Sequence, residues 1–190
     1  VRGFSRRGEV AVARLDADER SIIADLFAEV DALVDAGPLE EGSVNPEDPA
    51  LLRLFPNAVP TDRGVADEYR RLTEPDLRSL KVERLRKIQK ELGQKGSEWV
   101  VALTEALPTA AALTDVRLVI ATRLGLETDE DAELLHSELD IAQGLLEHGA
   151  PEGLSIDHGR ISLAMLYQAL TWLQDSLVAC VMDQEGGGDE

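Results

Sequence analysis

Apolar residues recur at three- and four-residue spacing along most of this chain, a period that predicts helices with one buried stripe each. Ile22, Ile23, Leu26, Phe27, Val30, Leu33 and Val34 mark the first, with Asp16 or Asp18 placed to cap it and Gly37-Pro38 to stop it. Upstream the period changes. Val10, Val12 and Leu15 come close to alternating after Glu9, and Arg6-Arg7-Gly8 suits a tight turn, so residues 1–15 read as a small β-hairpin.

Residues 38–60 are rich in proline, with Gly42, Ser43 and Asn45, and read as a linker holding at most one helical turn at Ala50–Phe55. A helix is expected over Asp62–Leu72. Thr73-Glu74-Pro75-Asp76 then restarts a second: Thr73 can cap, and the missing N–H of Pro75 is harmless in a first turn. That helix runs to about Leu92, before Gly93 and Gly96. Ser97 is placed to cap a helix through Leu107, and Pro108-Thr109 to open another to Leu124, with Gly125 as its stop. Thr128 with Asp131 resembles a capping box for an acidic helix to about Glu147. A loop over 148–153 leads to a last helix, about Gly159–Met182, and Asp183–Glu190 form a solvated, disordered tail. The expected fold is mainly α: about six helices around a central C-terminal helix, with the hairpin in front, in one domain over residues 1–182.

Some of these helices carry charge where apolar neighbours are expected. Leu77, Leu80, Leu85, Ile88 and Leu92 share one face, and Arg78, Arg86, Lys87 and Lys90 wrap the other, where a partner or a phosphate would meet them. Lys81 and Arg84 fall among the apolar positions, either snorkelling to water or meeting a carboxylate from another helix. Arg117 interrupts the stripe Leu113, Val116, Ile120, Leu124 and needs a partner, because an isolated buried charge is costly. The final helix is apolar nearly all round, which suits a central position. Gln168, Thr171 and Asp175 form its polar edge, and Asp175 beside Gln168 is the expected acceptor for Arg117.

Charge adds a second pattern. The formal net charge is −18, and residues 96–190 hold 3 Lys/Arg against 18 Asp/Glu. Residues 76–95 reverse the sign, with Arg78, Lys81, Arg84, Arg86, Lys87, Lys90 and Lys95 against Asp76, Glu83 and Glu91. Such segregation suits a molecule that docks onto other macromolecules. At 44% hydrophobic but only 4% aromatic, the core is expected to be Leu, Val, Ile and Ala. Cys180 alone cannot form an intramolecular disulfide. With no leader-like segment and no apolar run near the ~20 residues that span a bilayer, a soluble, cytoplasmic protein is expected.

Candidate chemistry is sparse. Glu133-x-x-His136 has the spacing of di-metal bundles, but such sites need a second pair, and neither His148 nor His158 has a Glu three residues before it. A solvated helix face is the expected meaning. Cys180 has no His or Lys nearby in sequence and reads as a buried, inert thiol. Phosphate-binding loops, nucleophile elbows and Cys-x-x-Cys motifs are missing. No catalytic residue, cofactor or metal ligand is therefore assigned. Arg78, Arg86, Lys87 and Lys90, with Arg70, Arg71, Arg6 and Arg7, are candidate phosphate contacts, but a pI near 4.5 makes DNA at most a weak partner. A homo-oligomer stays open.

Two stretches carry a family resemblance. One is Asp48-Pro49-Ala50-Leu51-Leu52-Arg53-Leu54-Phe55-Pro56-Asn57-Ala58, followed by Glu68-Tyr69-Arg70-Arg71-Leu72-Thr73-Glu74-Pro75-Asp76-Leu77-Arg78 and Lys81. The other is Leu113-Thr114-Asp115-Val116-Arg117-Leu118-Val119-Ile120 with Thr122-Arg123-Leu124-Gly125, then Leu166-Tyr167 and Leu170-Thr171-Trp172-Leu173-Gln174-Asp175-Ser176-Leu177-Val178. In this order they resemble the actinobacterial oxidative stress regulator (AosR-like) family. The resemblance implies a non-enzymatic transcriptional regulator that works with an extracytoplasmic-function sigma factor on stress and cysteine-metabolism genes. It also implies, through gene neighbourhood, an alternative role beside the Clp protease adaptor. The family's redox mode implies a pair of N-terminal cysteines; Ser5 and Glu9 stand there in this chain.

Overall fold

The computed structural model describes residues 1–36, 48–56, 62–148 and 157–182. The expected linker lies outside them except around Ala50–Phe55, as do most of the 148–153 loop and the tail after Met182. In chain order the described elements are β1 (Arg2–Arg7), β2 (Val10–Arg14), α1 (Ala17–Asp35), α2 (Pro49–Leu54), α3 (Arg63–Leu92), β3 (Glu98–Ala102), α4 (Ala106–Leu124), α5 (Asp129–His148) and α6 (His158–Met182). The fold is mainly α with a small N-terminal sheet.

The hairpin turns at Gly8, whose φ of +63° is readily adopted only without a Cβ. The expected hairpin gains a third strand, giving an antiparallel sheet in the order β1-β2-β3. β3 replaces the helix expected after Ser97. Its burial alternates, with Trp99 and Val101 inside and Glu98, Val100 and Ala102 outside, and β-branched and aromatic residues favour that period-two surface over a helical turn. A single 3-10 turn, Leu103–Glu105, then leads into α4.

The inner sheet face, with Phe4, Ala11, Ala13, Trp99 and Val101, joins one core with the helices. The rings of Phe4 and Trp99 lie 5.1 Å apart, and the Trp99 indole N–H donates to Glu91 at 3.0 Å. The outer edge of β1 is covered by α6: the Phe4 amide donates to Ser176 Oγ at 2.8 Å. Gly3 makes this approach feasible, because a Cβ there would stand 2.6 Å from Trp172 Nε1.

α1 is capped by the Asp16–Glu19 capping box and lies along the C-terminal half of α3. From α1, buried Arg20 reaches the end of α3 and donates to the carbonyls of Glu91, Leu92, Gln94 and Glu98 at 2.8–3.1 Å. One guanidinium thus satisfies carbonyls left open where a helix ends and a strand begins.

α3 is one continuous helix where two were expected. Thr73 does not cap; its hydroxyl donates back to the Tyr69 carbonyl at 2.9 Å. Pro75 sits inside the helix on its exposed side, where the Arg71 carbonyl it leaves unpaired can face water. Leu77 and Leu80 are exposed, and the buried stripe of α3 is instead Val82, Leu85, Ile88 and Leu92. Leu77 lies past the end of α1, whose Val34 carbonyl takes the Arg78 guanidinium, so α1 does not cover it. α6 packs on α4, α5 and β1 through Ala164, Leu170, Leu173 and Leu177, while Met165, Trp172 and Met182 are exposed. It is not enclosed, and α4, which meets α1, α2, α3, β3 and α6 and is buried along most of its length, is the more central helix.

Candidate interaction surfaces

The residues expected to meet phosphates do not form a common free face. Arg78 is partly buried, donating to Glu74 and the Val34 carbonyl and stacking 4.5 Å over the Phe55 ring. Arg86 bridges Asp31 and Asp35 at 2.9 and 2.6 Å, and those carboxylates raise its pKa. Lys87 pairs with Glu105 at 2.6 Å. Lys90 stays exposed. Periodicity showed these cations on one side of a helix; it could not show that α1 and the turn before α4 bring carboxylates to them.

Lys81 takes the carboxylate option rather than snorkelling. Its ammonium lies 2.6 Å from Asp115 Oδ1 of α4, with side chains only 12% and 7% exposed. Burial pushes the Asp115 carboxyl above its ordinary pKa, opposed by the Lys81 hydrogen bond and by the charges of Lys81 and Arg84. Asp115 Oδ2 is buried and has no hydrogen-bond partner among the described residues. Arg84, half-buried, acts on Asp115 through its charge.

Asp175 is not the acceptor for Arg117. It is exposed, one residue past the inward side of α6, and Gln174 takes its place: Arg117 donates to Gln174 Oε1 at 2.8 Å and stacks 5.2 Å over Tyr167. Gln174 in turn donates to Thr114 at 3.0 Å. Gln168 faces α5 and shares a 2.8 Å hydrogen bond with His136 Nδ1, so His136 has a side-chain partner. Glu133 is exposed, and among the described residues no group of three or more His, Cys, Asp or Glu could hold a metal ion. Cys180 is buried.

A clasp missed by periodicity holds α2 in place. Asp48 caps α2 by accepting from the Ala50 amide at 2.8 Å, and receives Arg123 of α4 in a two-pronged bond at 2.9 and 2.6 Å. The Arg123 hydrogen bond lowers the Asp48 pKa. Arg53 donates to the Leu126 carbonyl at 2.7 Å and Arg70 to the Phe55 carbonyl at 3.2 Å. The quoted motif around α2 is therefore an anchor.

α5 makes the second surface. Thr128 and Asp131 form the expected box, and the Glu127 and Thr128 amides hold the Asp131 carboxyl below its usual pKa. Leu135, Leu139 and Ala142 face α6, bordering an apolar groove of about 310 Å³ with Ile161 and Ala164. The outward side carries Glu130, Glu133, Ser137 and Asp140; Leu134 and Ile141, 59% and 64% exposed, lie at its edge, where Ile141 also lines the groove. Of the three cations of residues 96–190, Arg117 lies inside and Arg123 is on Asp48, while Arg160 meets α5 itself, pairing with Glu138 and donating to the Leu124 carbonyl.

Fold and surfaces together define a mainly α protein with a three-stranded sheet, its cations on α3 largely paired and the outward side of α5 acidic. The chain belongs to the family described as a domain of unknown function, DUF2017, whose model matches residues 1–181. Searches of curated proteins and of solved structures return no match. Among the described residues no helix is long and apolar enough to cross a membrane.

Proposed function

We propose that this protein is a non-enzymatic cytoplasmic regulator that acts by protein–protein contact, with an extracytoplasmic-function sigma factor as its partner in stress or cysteine-metabolism gene control. The observation that carries the contact reading is the outward side of α5. Glu130, Glu133 and Asp140 face solvent there, and of the three cations of the same half only Arg160 meets α5, already paired with Glu138, so this side favours a basic protein surface. The intrachain pairing of Arg78, Arg86 and Lys87 shifts weight from promoter phosphates to protein. The choice of a sigma factor rests on the resemblance to the oxidative stress regulators.

Affinity purification from native cytoplasm at low salt tests this reading. Recovery of a sigma factor or RNA polymerase supports it. Recovery of the Clp adaptor alone, or of none of these, overturns it.

A further inference from the structure

We propose that the outward side of α5 is a docking track for a basic amphipathic helix of a partner protein, anchored by Leu134 and Ile141. This rests on the contact reading above and gives the partner a chemistry and a shape. Leu134 and Ile141 are seven residues apart, two helical turns or about 10.5 Å along the axis. They lie close to one line, as the i and i+7 anchors of helix-in-groove recognition do. Both are more than half exposed, so neither supports the core. Glu130 stands one turn before Leu134, Glu133 and Asp140 carry the charge onto the outward side, and the Glu138–Arg160 pair borders the anchors on the groove side. Carboxylates alone would accept any cation; two large apolar groups among them favour a ligand that is cationic at its edges and apolar along one stripe. Ser137, small and polar, lies between the anchors and leaves room for a facing side chain.

Charge chooses the occupant. A second copy docking α5 on α5 would oppose like charges. The basic side of α3 in a second copy is poor competition, since Arg86 and Lys87 are already paired. Nucleic acid is repelled. A cationic helix from another protein meets both features.

The test titrates the full chain with a fluorescein-labelled peptide of Lys and Leu arranged as an amphipathic helix, against a peptide of the same composition with the stripe scrambled. The amphipathic peptide should bind at least 10-fold more tightly. Leu134→Ser with Ile141→Ser should remove that preference while leaving the weak, salt-sensitive binding of the scrambled peptide. Circular dichroism of the double variant should match the parent. Equal binding of the two peptides, or a preference that survives the double substitution in the folded variant, overturns the track. If sigma factor or polymerase still co-purifies with that variant, the track fails and the regulatory reading stands; if neither is captured even by the parent, the regulatory reading has failed.

Discussion

Replacing Lys81 by Met leaves the Asp115 carboxylate in α4 facing an apolar side chain. The ammonium it loses stands 2.6 Å away, and the two side chains are 12% and 7% exposed. Removing one member of a buried pair typically costs about 3–5 kcal/mol, because the remaining charge is desolvated and uncompensated. Arg84 stays nearby and offsets part of this, which places the expectation near about 3 kcal/mol. At about 2–4 °C per kcal/mol for a chain of this size, the midpoint should fall by about 6–12 °C. Asp115→Leu combined with Lys81→Met removes both charges and should recover most of the loss, since apolar replacement of a whole buried pair is often neutral or better. The assay is urea and thermal unfolding followed by helical circular dichroism. A pH series adds a sign. Asp115 has a raised pKa in the folded chain, so between 3.8 and that raised value the folded state holds the extra proton. Its contribution to stability therefore falls as pH rises through that window. Without Lys81 the window should extend upward, and the Lys81→Met variant should regain stability relative to the parent as pH is lowered from neutral. A single-variant loss below about 1 kcal/mol, or a double variant as weak as the single, would refute the buried-pair account.

Arg20→Leu removes the donor shared by carbonyls at the end of α3 and the start of β3. It should destabilise by about 3 kcal/mol or more and speed hydrogen exchange at β3. Gly3→Ala should cost about 1–3 kcal/mol and alter Trp fluorescence, because the new methyl meets Trp172 and Ser176. Asp48→Asn breaks the Arg123 clasp, whose partners are part-exposed, so the loss should be no more than about 1 kcal/mol. Because the Asp48 pKa is lowered in the folded chain, the difference from the parent should be full near neutrality and shrink as acid protonates Asp48. Unfolding curves at pH 7 and pH 3 check this.

Much of the helical layout was legible because local signals agree with packing: the capping box at Asp16, the Thr128–Asp131 pair, the stripe of α4 and that of α1 apart from exposed Ile22 sit where periodicity places them. Misreadings arose where tertiary contact overrode a local cue. Glu98–Ala102 looked like the start of a helix behind Ser97, yet it alternates, and its pairing partner is more than eighty residues away on β2. Pro75 looked like a helix start because the sequence does not reveal that its side of α3 faces solvent. At the surfaces, the odd cations of α3 and α4 were visible as misfits, but their partners were not. Lys81 found Asp115, whereas Arg117 found Gln174 rather than Asp175, a difference of one residue and about 100° around α6. Arg20 was missed because its targets are backbone carbonyls, which leave no trace in composition. Leu134 and Ile141 could not be singled out from the sequence, because only the fold shows which side of α5 meets α6.

The most direct test of the account is calorimetric titration of the purified chain with a purified extracytoplasmic-function sigma factor, first at low salt and then at physiological salt. The account expects saturable binding that weakens as salt rises and is lost when Glu130, Glu133 and Asp140 are changed to Lys. No binding at low salt, or binding untouched by those three substitutions in a folded variant, would contradict it.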